Sequence, residues 1–180
     1  VTHGLVYAAI LCFVALLILI NFNKLTIILA FCSMPLAFTY PLMKRFTYWP
    51  QLFLGITFNY GLILGWTSIE SSINFLPIIL YIGAIFWTLG YDTIYGYQDI
   101  IDDEIIGVKS TSIKFKDNSK KFLSICYSLT TLSFLTLGLK MNFNFVLYIS
   151  MTLIIFHLFF YQLKSFDAKA VSYTHLRAHE

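Results

Sequence analysis

Six stretches of the chain contain no charged side chain: residues 1–23, 25–43, 46–69, 71–91, 122–139 and 141–163, which are 23, 19, 24, 21, 18 and 23 residues long. These lengths constrain the fold more than any other feature. A helix rising 1.5 Å per residue needs about 20 residues to cross the hydrocarbon of a bilayer. A membrane-spanning strand needs roughly half that, with a two-residue alternation that these runs lack. A helix also satisfies its own backbone groups in lipid. The chain is therefore expected to be all-α, a polytopic transmembrane bundle with six crossings. Composition agrees: 58% of the 180 residues are hydrophobic and 12% charged, against about 25% charged in soluble domains. The expected links at residues 21–24, 44–50, 70–74 and 140–144 are short, and only the one over about 97–121 is long.

Other classes are excluded quickly. The formal net charge is +3 and no basic stripe carries interleaved aromatics, so nucleic acid is not an expected partner. Cys12, Cys32 and Cys126 stand singly in apolar runs, without metal-ligand spacing, and read as small buried hydrophobes. Val1 opens in the middle of an apolar pattern with no basic segment before it, so the first run is not a signal peptide. The chain reads as a piece of a longer protein. Gly61-Leu-Ile-Leu-Gly65, with Gly55 two turns earlier, is expected to let another helix approach closely. The segment 168–180 is polar and aperiodic and is expected to be a solvated tail or foreign to the natural chain. His175 and His179 within it do not amount to a metal site.

Loops of a polytopic bundle alternate sides, so their charges can be counted. Lys44, Arg45, Lys109, Lys114, Lys116, Lys120, Lys121, Lys164, Lys169 and Arg177 fall on one side, and Lys24 and Lys140 on the other. The positive-inside rule places the first group in the cytoplasm or matrix. The host membrane is expected to be the bacterial or mitochondrial inner membrane.

Five of the nine acidic residues lie between Tyr91 and Ser112: Asp92, Asp99, Asp102, Asp103 and Glu104. Charges at a membrane mark function by default. Asp99 and Asp103 are four apart and share a helical face, with Asp102 close to it. Such carboxylates repel unless a cation lies between them. Mg²⁺ takes one or two carboxylates plus substrate phosphates and keeps several waters. The alternative is a solvated acidic loop paired with Lys109 and Lys114. Asp92 and Tyr95, one and two turns earlier, are expected to continue the same face inward, with Asp92 orienting a hydroxyl or a ligand side chain. Gly107-Val-Lys-Ser-Thr is not a Walker loop, because Val108 stands where glycine must precede the lysine. Lys109, Ser110 and Thr111 remain candidate donors to a diphosphate. On the same side, Tyr40-Pro-Leu-Met-Lys44-Arg45 offers a lysine for diphosphate and an arginine for a carboxylate. Some of the 18 Phe and 12 Tyr could line an oily tunnel and stabilise a carbocation through their ring faces.

Taken together, these residues resemble a known family. Tyr91-Asp-Thr-x-Tyr95, Asp99-x-x-x-Asp103 and Gly107-Val-Lys-Ser-Thr111 resemble the second aspartate-rich motif of UbiA-type intramembrane aromatic prenyltransferases. Tyr40-x-x-x-Lys44 resembles the family's Tyr-x-x-x-Lys motif. The continuation Tyr48-Trp-Pro-Gln51, with Gly55 beyond, is most similar to the 4-hydroxybenzoate polyprenyltransferases of ubiquinone synthesis. The resemblance runs from about Leu5 to Asp167, which defines a partial transmembrane domain over residues 1–167. It implies a nine-helix bundle around a chamber open to lipid, of which this chain matches helices three to eight. It implies Mg²⁺-dependent transfer of a polyprenyl group from polyprenyl diphosphate to the ring of 4-hydroxybenzoate. Asp99 and Asp103 would then hold the metal. Tyr40, Lys44 and Lys109 would hold the leaving group, and Arg45 would meet the benzoate carboxylate. The family's first motif, Asn-Asp-x-x-Asp-x-x-x-Asp, is absent from these residues, so the 180 residues alone are expected to be inactive. Two other outcomes stay open: a different acceptor in the same family (naphthoate, or a haem or chlorophyll-type ring), or a non-catalytic remnant. A cation-coupled transporter would spread its acids over several helices at mid-membrane, whereas these cluster at one end.

Overall fold

A computed structural model describes residues 2–167, and every regular element among them is helical. The segment 168–180, with Lys169, His175, Arg177 and His179, lies outside the described residues. In chain order the α-helices are α1 (Thr2–Leu19), α2 (Lys24–Thr39), α3 (Met43–Phe46), α4 (Pro50–Phe58), α5 (Tyr60–Glu70), α6 (Phe75–Gly96), α7 (Ile100–Ile106), α8 (Thr111–Lys114), α9 (Ser119–Lys140) and α10 (Phe145–Phe156). Tight 3-10 turns at Tyr40–Leu42 and Lys116–Asn118 and a π-helical stretch at His157–Leu163 extend three of them.

Five continuous helical segments are long and apolar enough to cross a membrane: Lys24–Phe46, Pro50–Glu70, Phe75–Gly96, Lys116–Lys140 and Phe145–Leu163. The first uncharged run forms a shorter apolar helix, His3–Leu19. Its 17 residues rise about 26 Å. The chain turns at residues 20–22, and Asn23 caps α2 by accepting the Thr26 N–H at 3.0 Å. The six expected crossings are thus five full-length segments and one short helix. Large apolar side chains on their outer faces are exposed, among them Phe13, Phe38, Phe58, Ile69, Phe145 and Phe156. Soluble monomers do not carry such surfaces, but a bilayer solvates them. The chain is an integral membrane protein.

The packed centre is α6, held between α4 and α9. Small residues set the approach. A Cβ at Gly83 would lie 2.8 Å from Ser133 Cβ, one at Gly90 2.7 Å from the Tyr127 ring, and one at Gly55 3.0 Å from the Ile85 carbonyl oxygen. The Thr130 hydroxyl donates to the Gly83 carbonyl at 3.1 Å. The Gly61–Gly65 pair is not used in this way. Neither has an atom within 4 Å of a built Cβ, because α5 turns that side outward. Of the three glycines expected to allow a close approach only Gly55 makes one, and Gly83 and Gly90 supply the others.

Asn59 breaks the second membrane segment into α4 and α5. Its amide donates to the Gly55 carbonyl (2.8 Å), the Ala84 carbonyl (3.2 Å) and the Thr88 hydroxyl (2.7 Å), joining the break to α6. At one end of the bundle, Asn23 donates to the Thr67 carbonyl at 2.6 Å and the Thr26 hydroxyl to the Thr67 hydroxyl at 3.1 Å. The end of α2, the turn into α4, the end of α6 and the loop to α9 gather at the other.

Candidate active site

The long loop between α6 and α9 is not an open loop. It folds into α7 and α8, and its sequence explains the punctuation. The helix after Phe75 stops at Gly96 and the chain turns at residues 97–99. Asp99 opens α7, its carbonyl accepting the Asp103 N–H at 2.8 Å. Gly107 closes α7 at φ 79°, a left-handed conformation that glycine adopts without strain. Ser110 caps α8 by accepting the Ile113 N–H at 3.2 Å.

This geometry corrects one expectation. Asp92 and Tyr95 do not share a helix with Asp103, because α6 ends at Gly96 and α7 begins at Ile100 after the turn at 97–99. Tyr95 is 62% exposed and lies edge-on to Tyr91. Asp92 is half-buried in α6 and lies within electrostatic reach of both Lys44 and Tyr40.

The Asp99–Asp103 spacing survives as one helical turn of α7, with different surroundings for each acid. Asp103 turns inward, its side chain 12% exposed, and its Oδ2 is 3.5 Å from Lys44 Nζ. Asp102 follows one residue earlier, about 100° around the helix, and is exposed. Glu104 pairs with Lys116 at 2.8 Å. Asp103 and Glu104 thus pair with Lys44 and Lys116 rather than with Lys109 and Lys114. Lys114 Nζ lies 4.5 Å from the centre of the Trp49 ring and Lys109 Nζ lies 5.5 Å from that of Tyr48. Among the described residues no three Asp, Glu, His or Cys side chains form a ready-made metal cluster. The donors are all hard carboxylate oxygens, which suits a cation that takes one or two carboxylates and completes its shell from phosphate and water. Asp99 and Asp103 fit that mode, and an all-protein cage is not formed.

The two sequence motifs meet here. Lys44 and Asp103 come together across 59 residues, and the Lys109 N–H donates to the Lys44 carbonyl at 2.8 Å. Lys109 Nζ reaches the Phe46 carbonyl at 3.4 Å. Tyr40, Lys44, Asp92, Asp103 and Lys109 thus share one end of the bundle. Arg45 is exposed beside Lys44 and makes no ion pair among the described residues. Ser110 and Thr111 are corrected as diphosphate donors. Both are fully buried, and the Thr111 hydroxyl is 2.7 Å from that of Thr93. An open cavity of about 1100 Å³ lies elsewhere, lined by Ile101, Lys116, Lys120, Lys121 and Lys164 among others. None of the five gathered residues borders it.

Residues 1–175 match the model of the UbiA prenyltransferase family. The chain belongs to that family. Among its relatives is a protein of Aedes aegypti called 4-hydroxybenzoate polyprenyltransferase, mitochondrial, 49% identical over 62% of this chain and 25% of the relative. The Arabidopsis thaliana protein of the same name is 50% identical over 59% of this chain and 26% of the relative. A Lithospermum erythrorhizon protein named 4-hydroxybenzoate geranyltransferase 1 is 46% identical over 68% of this chain and 40% of the relative. The aligned part of this UbiA-family chain thus spans between a quarter and two fifths of the length of these relatives. No solved structure matches it.

Proposed function

We propose that the protein containing these residues transfers a polyprenyl group from a polyprenyl diphosphate to the ring of 4-hydroxybenzoate, using Mg²⁺, as a step of ubiquinone synthesis. The observation that carries the reading is the meeting of Lys44 with Asp103 at one end of a membrane bundle. A cation and a carboxylate set are thereby offered side by side where a charged headgroup meets lipid. Relatives near 50% identity bearing the 4-hydroxybenzoate polyprenyltransferase name support the same substrates.

In this reading Asp99 and Asp103 hold Mg²⁺, with Asp102 available at the rim. The metal supplies positive charge to the leaving diphosphate. Lys44 and Lys109 donate to diphosphate oxygens, and these contacts strengthen as the C–O bond breaks and charge builds on the leaving group. Tyr40 adds a hydroxyl donor, and Asp92 orients Tyr40 and Lys44. Tyr95 lies at the outer edge of this group. Arg45 suits a planar carboxylate, which its guanidinium can meet with two parallel bonds. The surrounding lipid and aromatic side chains keep water from the allylic cation. The ring carbon ortho to the hydroxyl then forms the new C–C bond and loses its proton. We place this end of the bundle at the cytoplasmic or matrix face of an inner membrane, and take residues 1–167 as part of the catalytic transmembrane domain.

The test is conversion of radiolabelled 4-hydroxybenzoate by membranes carrying the full-length protein, with and without a chelator. Asp99→Asn and Asp103→Asn are each expected to lower Mg²⁺-dependent turnover at least roughly a hundredfold. Wild-type turnover in both variants would refute the assignment. A panel with naphthoate and porphyrin-type acceptors decides the acceptor.

A further inference from the structure

We propose that Gln51 is a positioning residue: it holds the loop that carries Asp103 and Lys109 against the loop that carries Lys44. Gln51 lies in the first turn of α4, directly after Pro50, and is 4% exposed. Its Oε1 accepts the Thr111 N–H at 3.0 Å, across 60 residues of sequence. Thr111 is the first residue of α8, and the first N–H of a helix has no partner within its own helix. Gln51 supplies that partner from another element.

The bond belongs to a buried clasp. The Thr111 and Thr93 hydroxyls are 2.7 Å apart, and the Ser112 hydroxyl donates to the Thr93 carbonyl at 2.8 Å. Gln51 Nε2 lies beside Gly96, 3.3 Å from where a Cβ would stand. Gln51, Thr93, Thr111 and Ser112 are all buried, so each unmade bond would cost more than it would at a surface. Three elements are joined in this way: the start of α4, the end of α6 and the start of α8. Two residues before Thr111, the Lys109 N–H is bonded to the Lys44 carbonyl. The clasp and this single backbone bond set where Lys109 and α7 stand relative to Lys44. A well-packed apolar contact would hold the elements together as firmly, but it would not fix their register, which directed hydrogen bonds do.

Gln51 touches none of the groups proposed to meet substrate. Its effect passes through Thr111 and Lys109. A misplacement of about 1 Å is enough to weaken a charge-positioning site strongly.

The experiment uses the full-length protein in nanodiscs and has two arms. The first reads amide hydrogen exchange over residues 107–115, which needs no substrate. Gln51→Leu is expected to speed exchange of the Lys109 and Thr111 amides at least roughly tenfold, and Gln51→Glu, whose carboxyl oxygen can still accept the bond, to restore most of the protection. Thr93→Val, nearly isosteric, is expected to act in the same direction with a smaller effect and serves if Gln51→Leu does not fold. Unchanged exchange in both variants overturns the proposal. The second arm rests on the prenyl-transfer reading and uses inorganic pyrophosphate with Mg²⁺ as a competitive probe. Gln51→Leu is expected to weaken pyrophosphate roughly tenfold while the KM for 4-hydroxybenzoate stays within about twofold. Lower thermal stability with both constants unchanged would make Gln51 merely structural and would also overturn it. Wild-type protein that ignores pyrophosphate would sink the prenyl-transfer reading, and the exchange arm would still decide the role of Gln51.

Discussion

A methyl group at position 96 should fail for a reason that a second substitution can repair. In Gly96→Ala the new Cβ would overlap Ser112 Oγ and stand 3.3 Å from Gln51 Nε2 and 3.4 Å from Ser112 Cβ. Ser112 is not free to swing away. Its hydroxyl serves the Thr93 carbonyl at 2.8 Å, and that carbonyl lacks its usual helical partner because the Tyr97 N–H turns back to Ile94 at 3.1 Å. Rotating Ser112 strands a buried carbonyl, at about 1–3 kcal/mol. Moving the backbone instead is overpacking, at about 1–3 kcal/mol. The helix-propensity gain of alanine over glycine, about 1 kcal/mol in a helix interior, is small at the last residue of α6. The expected net loss is about 2 kcal/mol. Ser112→Ala alone strands the same carbonyl, at about 1–3 kcal/mol. In the double variant the overlap is gone, and the contacts left, 3.3 Å to Gln51 Nε2 and 3.4 Å to Ser112 Cβ, ask only a slight shift of the Gln51 amide, so its stability should come close to that of Ser112→Ala alone. The coupling in the double-mutant cycle is therefore about 2 kcal/mol. Equilibrium unfolding of the full-length protein in detergent measures it. Losses that add within about 0.5 kcal/mol would refute the steric account of the clasp.

Two further perturbations test other parts of the fold. Asn59→Leu removes three interhelical and capping bonds from the break between α4 and α5 and should cost about 1–2 kcal/mol. The same unfolding assay reads it, and a neutral result would mean that the break is held by apolar packing instead. Tyr97 lies just outside the membrane segment, and burial pushes its phenol above the usual range, with a Ser119 hydrogen bond opposing and the Asp117 charge adding to the rise. The raised group favours the folded state while it stays protonated. Its contribution is complete below about pH 10 and is lost as pH climbs through the folded value. Tyr97→Phe should flatten the fall in stability above about pH 10, and an unaltered slope would remove Tyr97 from the account.

Run length and charge-free composition carried the helices because a bilayer leaves a chain few alternatives. The partners of those helices were less legible. Gly61 and Gly65 have the spacing of a packing motif and face outward, whereas Gly83 and Gly90 make the close contacts to α9 and stand seven apart, a two-turn spacing not read as a motif. Spacing alone says which residues share a face, and tertiary packing decides which face is buried. The same limit applied at the site. Asp99 and Asp103 kept their one-turn relation because it is local to α7. The continuation from Asp92 and Tyr95 failed because three residues, 97–99, separate α6 from α7. Ser110 and Thr111 looked like ligands because they are polar beside a lysine. Thr111 is held by long-range partners, Gln51 for its N–H and Thr93 for its hydroxyl, that no single stretch of sequence displays. In the sequence Gln51 is only the last residue of Tyr48-Trp-Pro-Gln51, and its partner lies 60 residues away.

Lys44 stands against Asp103 at 3.5 Å and within electrostatic reach of Asp92. Under the proposed function a diphosphate must draw Lys44 toward itself, and a metal must displace Lys44 from Asp103. Each ligand therefore removes an obstacle to the other, so the two should bind with positive coupling, equal in both directions by linkage. The pair is partly solvated, with Lys44 49% exposed, so the obstacle is modest, about 1 kcal/mol after screening, or roughly fivefold in affinity. Lys44→Met separates the two roles of the lysine. It should weaken pyrophosphate, because a donor is lost. It should also tighten Mg²⁺ binding measured without pyrophosphate, because Asp103 is released. Calorimetric titration of the full-length protein with each ligand, alone and after saturation with the other, reads both effects. Mg²⁺ affinity that falls or stays constant in Lys44→Met would mean that the lysine does not compete with metal for Asp103.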